Sequence, residues 1–342
     1  MKSLDPLIVD SYNYHLPSHL IAKEPANPPD SAKLLVYDRQ KDSITHAIFK
    51  DLASFLPKNC NIFFNDTKVI KAKIFGKKDS GGKVELLLNR PLDNQNFLVF
   101  IKGRVKTGSL LYFDENLSAK VVQLNSDRTR VVKFYQNGEK VDFYKLLTIL
   151  DKIGYMPLPP YINKKITKAD EIYYQPLFAK KEGAVAAPTA SLHFTPNLLK
   201  KLQEKFKINY ITLHVGAGTF KPVEAKNILE HKMHSEYFEI PKDSIKIIES
   251  NKKILAVGTT VTRTIEYYAR SKKSFGECDL FLHPLNPPIR VDYLLTNFHL
   301  PKSTLIMLVA SFIGIKKTLE LYKIAVEKRY RFYSYGDAML IL

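Results

Sequence analysis

The residues best suited to chemistry lie in four short segments between hydrophobic runs. These are Ala187-Pro188-Thr189-Ala190-Ser191-Leu192-His193-Phe194-Thr195, His214-Val215-Gly216-Ala217-Gly218-Thr219-Phe220, Gly258-Thr259-Thr260-Val261-Thr262-Arg263-Thr264 and Thr296-Asn297-Phe298-His299-Leu300-Pro301. Glycines after a strand let backbone N–H groups approach a ligand closely. Imidazoles exchange protons near neutral pH, so His193, His214, His234 and His299 are candidates for acid–base work. Glu236 is the candidate carboxylate base. For each histidine the plain alternative is a satisfied structural ring, and for Glu236 a salt bridge. His231 and His234 have the spacing of one face of a helical turn. Gly258, Thr259 and Thr260 end an apolar run and open a helical pattern. Free N–H groups there favour a phosphate or carboxylate, and Arg263 adds a planar fork of donors. The alternative is a capped helix with a surface arginine. Gly216 and Gly218 lack the third glycine of a dinucleotide fingerprint and the lysine of a P-loop, so the loop reads as a cradle for a small ligand. Asn65-Asp66-Thr67 either shapes a turn or forms a ligand-contacting corner. Cys60 and Cys278 fit no metal-ligand spacing, and no metal is expected.

An α/β pattern must position these segments. Residues 61–64, 210–215, 254–257 and 279–282 read as strands, and 244–250 and 261–269 as helices. Thr195 caps a helix opening at Pro196. Residues 304–313 read as a buried helix and 316–328 as an amphipathic one. Before residue 64 the chain reads as irregular, broken by Pro25, Pro28 and Pro29. Between 73 and 135 the texture changes. Short β-rich runs at 83–88, 96–102, 109–113, 118–124 and 128–135 suggest a small antiparallel barrel or sandwich. A helix over 142–150 follows, with Phe143, Leu146, Leu147 and Leu150 on one face. The expected fold is a mixed α/β sheet with helices, formed by residues 1–72 and 136–342 and carrying most of the site. An inserted small antiparallel β-barrel spans 73–135.

The 342 residues carry a formal net charge of +18. That balance points to a polyanion, nucleic acid before an anionic membrane, unless it only reflects a lysine-rich composition. The apolar run 305–315 is too short to span a bilayer. No apolar segment of the signal-peptide type follows the first residues, and cysteine usage fits a reduced, cytoplasmic setting.

Taken together, the motifs resemble the S-adenosylmethionine:tRNA ribosyltransferase-isomerase family of the queuosine pathway. The resemblance runs along the chain through Tyr14-His15-Leu16-Pro17, Phe64-Asn65-Asp66-Thr67-Lys68, Pro157-Leu158-Pro159-Pro160-Tyr161, Ala187-Pro188-Thr189-Ala190 and His214-Val215-Gly216-Ala217-Gly218-Thr219-Phe220. It continues in His234-Ser235-Glu236-Tyr237, Thr296-Asn297-Phe298-His299-Leu300-Pro301 and Tyr333-Ser334-Tyr335-Gly336-Asp337. Two departures stand out: Ser191 replaces an expected glycine, and His283-Pro284-Leu285 replaces Tyr-Pro-Gly.

The resemblance implies a reaction in which the ribosyl part of S-adenosylmethionine, not its methyl group, is joined to 7-aminomethyl-7-deazaguanine at the tRNA wobble position. The ribose is rearranged to an epoxycyclopentane, and adenine and methionine leave. S-adenosylmethionine is then a co-substrate, with no tightly bound cofactor. The site is expected to use His193, His214, His234, Glu236 and His299 in proton transfer. Substrate is expected to touch Asn65, Asp66, Thr67, Thr189, Gly216, Gly218, Thr219, Phe220, Gly258, Thr259, Thr260, Arg263 and Asn297. Phosphates are expected at Arg270, Lys272, Lys273, Lys316, Lys317 and Arg329, with Lys102, Lys106 and Lys120 of the barrel next. A monomer with no membrane partner is expected. The competing readings are a cofactor- or nucleoside-cleaving enzyme with no RNA substrate, and a non-catalytic RNA-binding protein.

Overall fold

The computed structural model describes residues 4–162, 167–220 and 223–342. Its first strands are β1 (Lys33–Asp38), β2 (Ser43–Ile48), β3 (Cys60–Asn65) and β4 (Thr67–Val69). Next come β5 (Lys73–Lys78), β6 (Lys83–Pro91), β7 (Phe97–Lys102), β8 (Leu110–Tyr112), β9 (Leu117–Leu124), β10 (Arg130–Gln136) and β11 (Glu139–Lys140). The later strands are β12 (Lys181–Ala184), β13 (Lys207–Leu213), β14 (Glu236–Glu239), β15 (Lys253–Val257), β16 (Phe275–Cys278), β17 (Tyr293–Asn297) and β18 (Ala338–Ile341). The α-helices are α1 (Leu52–Phe55), α2 (Phe143–Ile153), α3 (Lys168–Tyr173), α4 (Pro196–Lys205), α5 (Lys242–Ile248), α6 (Thr259–Ser271) and α7 (Thr304–Glu327).

Strand β3 is buried at every position, so it needs cover on both faces. It lies inside a nine-stranded sheet of order β16-β14-β13-β3-β15-β17-β18-β1-β2. Strands β13, β3, β15 and β17 run parallel, and antiparallel pairs complete both edges. Segments before residue 73 and after residue 136 therefore share one sheet. Helix α4, capped by Thr195, packs Leu198 and Leu202 onto the core that holds Phe64 and Leu255. Helix α6 buries Val261 and Ile265 among Ile211, Leu213 and Ala256.

Strands β5 to β10 form a closed six-stranded antiparallel barrel, since β10 pairs with both β7 and β9. The alternating burial of β6 sends Val84, Leu86 and Leu88 inward. Asp142 accepts from the Lys145 N–H (2.8 Å) to start α2, which adds Leu146, Leu147 and Leu150 to the barrel core. That core thus extends past residue 135, and β10 itself runs to Gln136. Ala217 and Val185, from the main-sheet side, complete it.

Several expectations need correction. The opening segment is not irregular throughout: β1 and β2 form an antiparallel pair behind the prolines. The strand expected at 279–282 is displaced to β16, because Phe275–Cys278 pairs with β14. The sheet also contains β14, β17 and β18, and the barrel contains β5. His231 and His234 lie in irregular chain rather than on a helix. Helix α7 joins the two expected helices, with a break at Gly314 (φ +77°) between its buried and amphipathic halves.

Candidate active site

Parallel strands present their carboxyl ends to one edge of the sheet, where loops are free to bind. Here the loops leaving β3, β13, β15 and β17 are Asn65–Thr67, His214–Gly218, Gly258–Thr260 and Asn297–His299. A crevice of about 60 Å³ lies among them, lined by Pro188, Thr189, Val215, Gly258, Thr259, Thr260, Thr296, Asn297, His299 and Tyr333. Gly258 opens α6 at φ +96°, a conformation side chains rarely tolerate, and no side chain caps the helix. The first-turn N–H groups therefore point at the crevice with the positive end of the helix dipole. Tyr333 adopts φ +75°, an unusual conformation for an aromatic residue, and also lines the crevice.

A larger cleft of about 830 Å³ adjoins this crevice, between the barrel and the main sheet. Its barrel wall carries Asn89, Arg90, Leu98, Phe100, Phe143 and Tyr144. Its sheet wall carries Lys180, Gly183, His214, Gly216, Gly218, His234 and Glu236. The segment 214–216 separates the two spaces: Val215 lines the crevice, while His214 and Gly216 line the cleft.

Hydrogen bonds hold these loops. The Asn65 side chain donates to the Leu213 carbonyl (2.9 Å) and Thr260 Oγ1 (3.3 Å) and accepts from the Leu213 N–H (3.0 Å). It ties three strand ends together. Asp66 Oδ1 accepts from Thr212 Oγ1 (2.6 Å), and burial raises the Asp66 pKa. Thr189 Oγ1 donates to Asn297 Oδ1 (3.0 Å), and Asn297 Nδ2 donates to His193 Nε2 (3.2 Å). Thr296 Oγ1 and His299 Nε2 are 2.9 Å apart. Thr67 Oγ1 and His214 Nδ1 are 2.7 Å apart, and the His214 ring stacks on Tyr237. Among the described residues the other ring nitrogen of His214 makes no hydrogen bond.

Burial removes the solvent that would stabilise an imidazolium. It pushes His193 down to about 4, with Arg331 adding to the effect, and His299 down to about 3. It also pushes His214 down to about 4, helped by the Lys181 ammonium. All three rings are neutral at neutral pH.

A family model described as "Queuosine biosynthesis protein" matches residues 9–341. The chain belongs to that family. It is 68% identical over 339 residues to the S-adenosylmethionine:tRNA ribosyltransferase-isomerase of a Nitratiruptor species, covering 99% of this chain and 100% of that one. It is 63% identical to the protein of that name from Aliarcobacter butzleri, over 99% of this chain and 100% of the relative. The crystal structure of an S-adenosylmethionine tRNA ribosyltransferase from Thermotoga maritima aligns with a TM-score of 0.55 at 34% identity, over 97% of this chain and 99% of that one.

Within this queuosine-family fold, Thr189, Gly258, Thr259, Thr260, Asn297 and His299 line the crevice. His214, Gly216, Gly218, His234 and Glu236 line the cleft. Asn65, Asp66 and Thr67 stand behind the walls as braces, and His193 supports Asn297 from behind. The side chains of Thr219 and Phe220 lie outside those described. Arg263 does not offer its fork to an anion. It donates to Glu236 Oε2 (2.5 Å), the Leu280 carbonyl (3.0 Å) and the Cys278 carbonyl (3.3 Å). Glu236, buried against it, also accepts from the Gly216 N–H (3.0 Å), so it holds the loop.

Ser191 lies in a 3-10 turn with no positive φ, so a glycine is not required there. His283 closes a tight turn with Asn286. Of the six candidate phosphate contacts, three are already engaged. Arg270 binds Glu266 and the Pro287 carbonyl, Lys317 binds Asp42 and Glu320, and Lys272 lies over Tyr268 and near Glu249. Lys273, Lys316 and Arg329 are exposed. Sequence reasoning missed the barrel wall of the cleft, because Asn89 and Tyr144 gain meaning only when the barrel is docked. Tyr333 could have been found from its motif.

Proposed function

We propose that this chain is an S-adenosylmethionine:tRNA ribosyltransferase-isomerase that moves the ribosyl group of S-adenosylmethionine onto a 7-aminomethyl-7-deazaguanine in tRNA. The observation that carries this reading is the junction of a crevice at an open helix N-terminus with a cleft wide enough for a nucleobase. The methionyl carboxylate suits the N–H groups of the first turn of α6. The base suits the cleft, whose barrel wall offers Leu98, Phe100, Phe143 and Tyr144 to a flat ring beside the polar Asn89 and Arg90, and whose other wall carries Lys180 and imidazoles. The two substrates then meet across residues 214–218.

A sulfonium acidifies the adjacent C5′ protons, so a neutral base beside it can begin the chemistry. His214 suits this role best among the expected acid–base residues. Burial keeps it neutral, Thr67 holds one ring nitrogen, and the other is left for substrate. His299 and His193 position the crevice wall, and Glu236 positions the loop. Exposed Lys180, Lys273, Lys316 and Arg329 are the phosphate contacts of this reading. A cytoplasmic setting, where tRNA is found, belongs to the same reading.

Incubating the protein with S-adenosylmethionine and precursor tRNA tests it. Adenine and methionine are expected, together with a nucleoside that has gained an epoxycyclopentyl group. Release of S-adenosylhomocysteine with a methylated nucleoside would overturn the assignment.

A further inference from the structure

Strand β6 carries a bulge: Leu88 pairs with Val99 and Arg90 with Leu98, leaving Asn89 without a partner on β7. Neighbouring strand residues normally face opposite sides, but a bulge re-aims one of them. Here both Asn89 and Arg90 reach the cleft. Arg90 Nη1 meets Glu277 Oε1 (3.0 Å), and Asn89 Oδ1 accepts from the Ala217 N–H (2.9 Å). A Cβ at position 216 would stand 3.0 Å from that same oxygen, a tight contact that Asn89 would have to yield to.

Accepting from a backbone N–H settles which end of the amide is oxygen. The Asn89 NH₂ therefore has a fixed direction, and among the described residues it has no hydrogen-bond partner. We infer that Asn89 is a specificity residue that donates to an acceptor on the edge of the substrate base, an inference that rests on the cleft receiving that base. In a 7-deazaguanine a carbon replaces the N7 acceptor, so the 6-oxo group is the acceptor remaining on that edge. A site that donates to an oxo group rejects a base lacking it.

The test pairs enzyme and substrate changes. Wild type, Asn89→Asp and Asn89→Ala are each assayed with anticodon stem-loops carrying the aminomethyl-deazaguanine or its 6-deoxo analogue. Asn89→Asp retains an acceptor for the Ala217 N–H, so it keeps the loop anchored should Asn89→Ala fail to fold. The wild type is expected to lose about 10-fold or more in kcat/KM with the deoxo base. Both variants are expected to lose most of that discrimination, with KM for S-adenosylmethionine unchanged in Asn89→Asp. Undiminished discrimination in the variants overturns the inference while leaving the proposed reaction intact. A wild type that transfers no ribosyl group overturns both.

Discussion

At the residue scale, the proposed site rests on buried histidines held by hydroxyl and amide neighbours. His214→Asn should lower kcat by about 10²- to 10⁴-fold, the range for loss of a general base, while leaving S-adenosylmethionine affinity near its original value. Equal losses in affinity and turnover would instead make His214 a structural residue. The buried rings also set a pH dependence. Their folded-state pKa values, about 4 for His193 and His214 and about 3 for His299, lie below the unfolded value near 6.5. Between those limits the unfolded chain binds more protons, so stability falls as pH falls. Each ring contributes up to about 1.4 kcal/mol per pH unit. Denaturation followed from pH 7 to pH 5 should show the decline beginning near 6.5. A flat profile would mean that these rings take up protons in the fold as readily as in the unfolded chain. The sequence made the crevice residues Thr189, Gly258, Thr259, Asn297 and His299 legible, because small polar residues and glycines after apolar runs mark binding loops. The pairing of Glu236 with Arg263 was not legible, since it joins a strand to a helix across the sheet and only the fold brings the charges together.

At the element scale, the glycine loop after β13 is held from two sides, by Glu236 and by Asn89. Gly218 lies against His234: a Cβ would stand 2.6–2.9 Å from that ring. Gly218→Val should displace the loop and weaken S-adenosylmethionine binding by about 10-fold or more, since overpacking costs about 1–3 kcal/mol. Calorimetric titration decides it, and normal affinity would disconnect this loop from S-adenosylmethionine. Buried strands β3, β13 and β15 and helices α4 and α6 were readable from apolar runs and caps. The β1–β2 pair was hidden behind a proline-rich opening. Strand β14 and the edge strand β16 beside it have mixed, half-exposed sequences, and only their pairing makes them strands.

At the scale of the whole molecule, the proposed reaction requires the barrel and the main sheet to bind two substrates together. The charge of +18 favours a polyanion but does not locate it. Lys180 stands exposed at the cleft, whereas Arg270 is committed to Glu266 and the Pro287 carbonyl. Lys180→Ala should therefore reduce the salt slope of tRNA binding by about one unit, and Arg270→Ala should leave the slope alone. Binding measured across a salt series would contradict this placement if only the Arg270 variant changed. The inserted barrel was legible from its regular short strands and glycine turns. Its contribution to the site was not, because the cleft exists only between two bodies.

That both substrates meet across residues 214–218 is tested by a crystal structure with S-adenosylmethionine and an anticodon stem-loop carrying the precursor base. The methionyl carboxylate is predicted at the N–H groups of Thr259 and Thr260, and the base in the cleft beside Asn89 and His214. S-adenosylmethionine and base bound on separate faces, with residues 214–218 touching neither, would contradict the proposed junction.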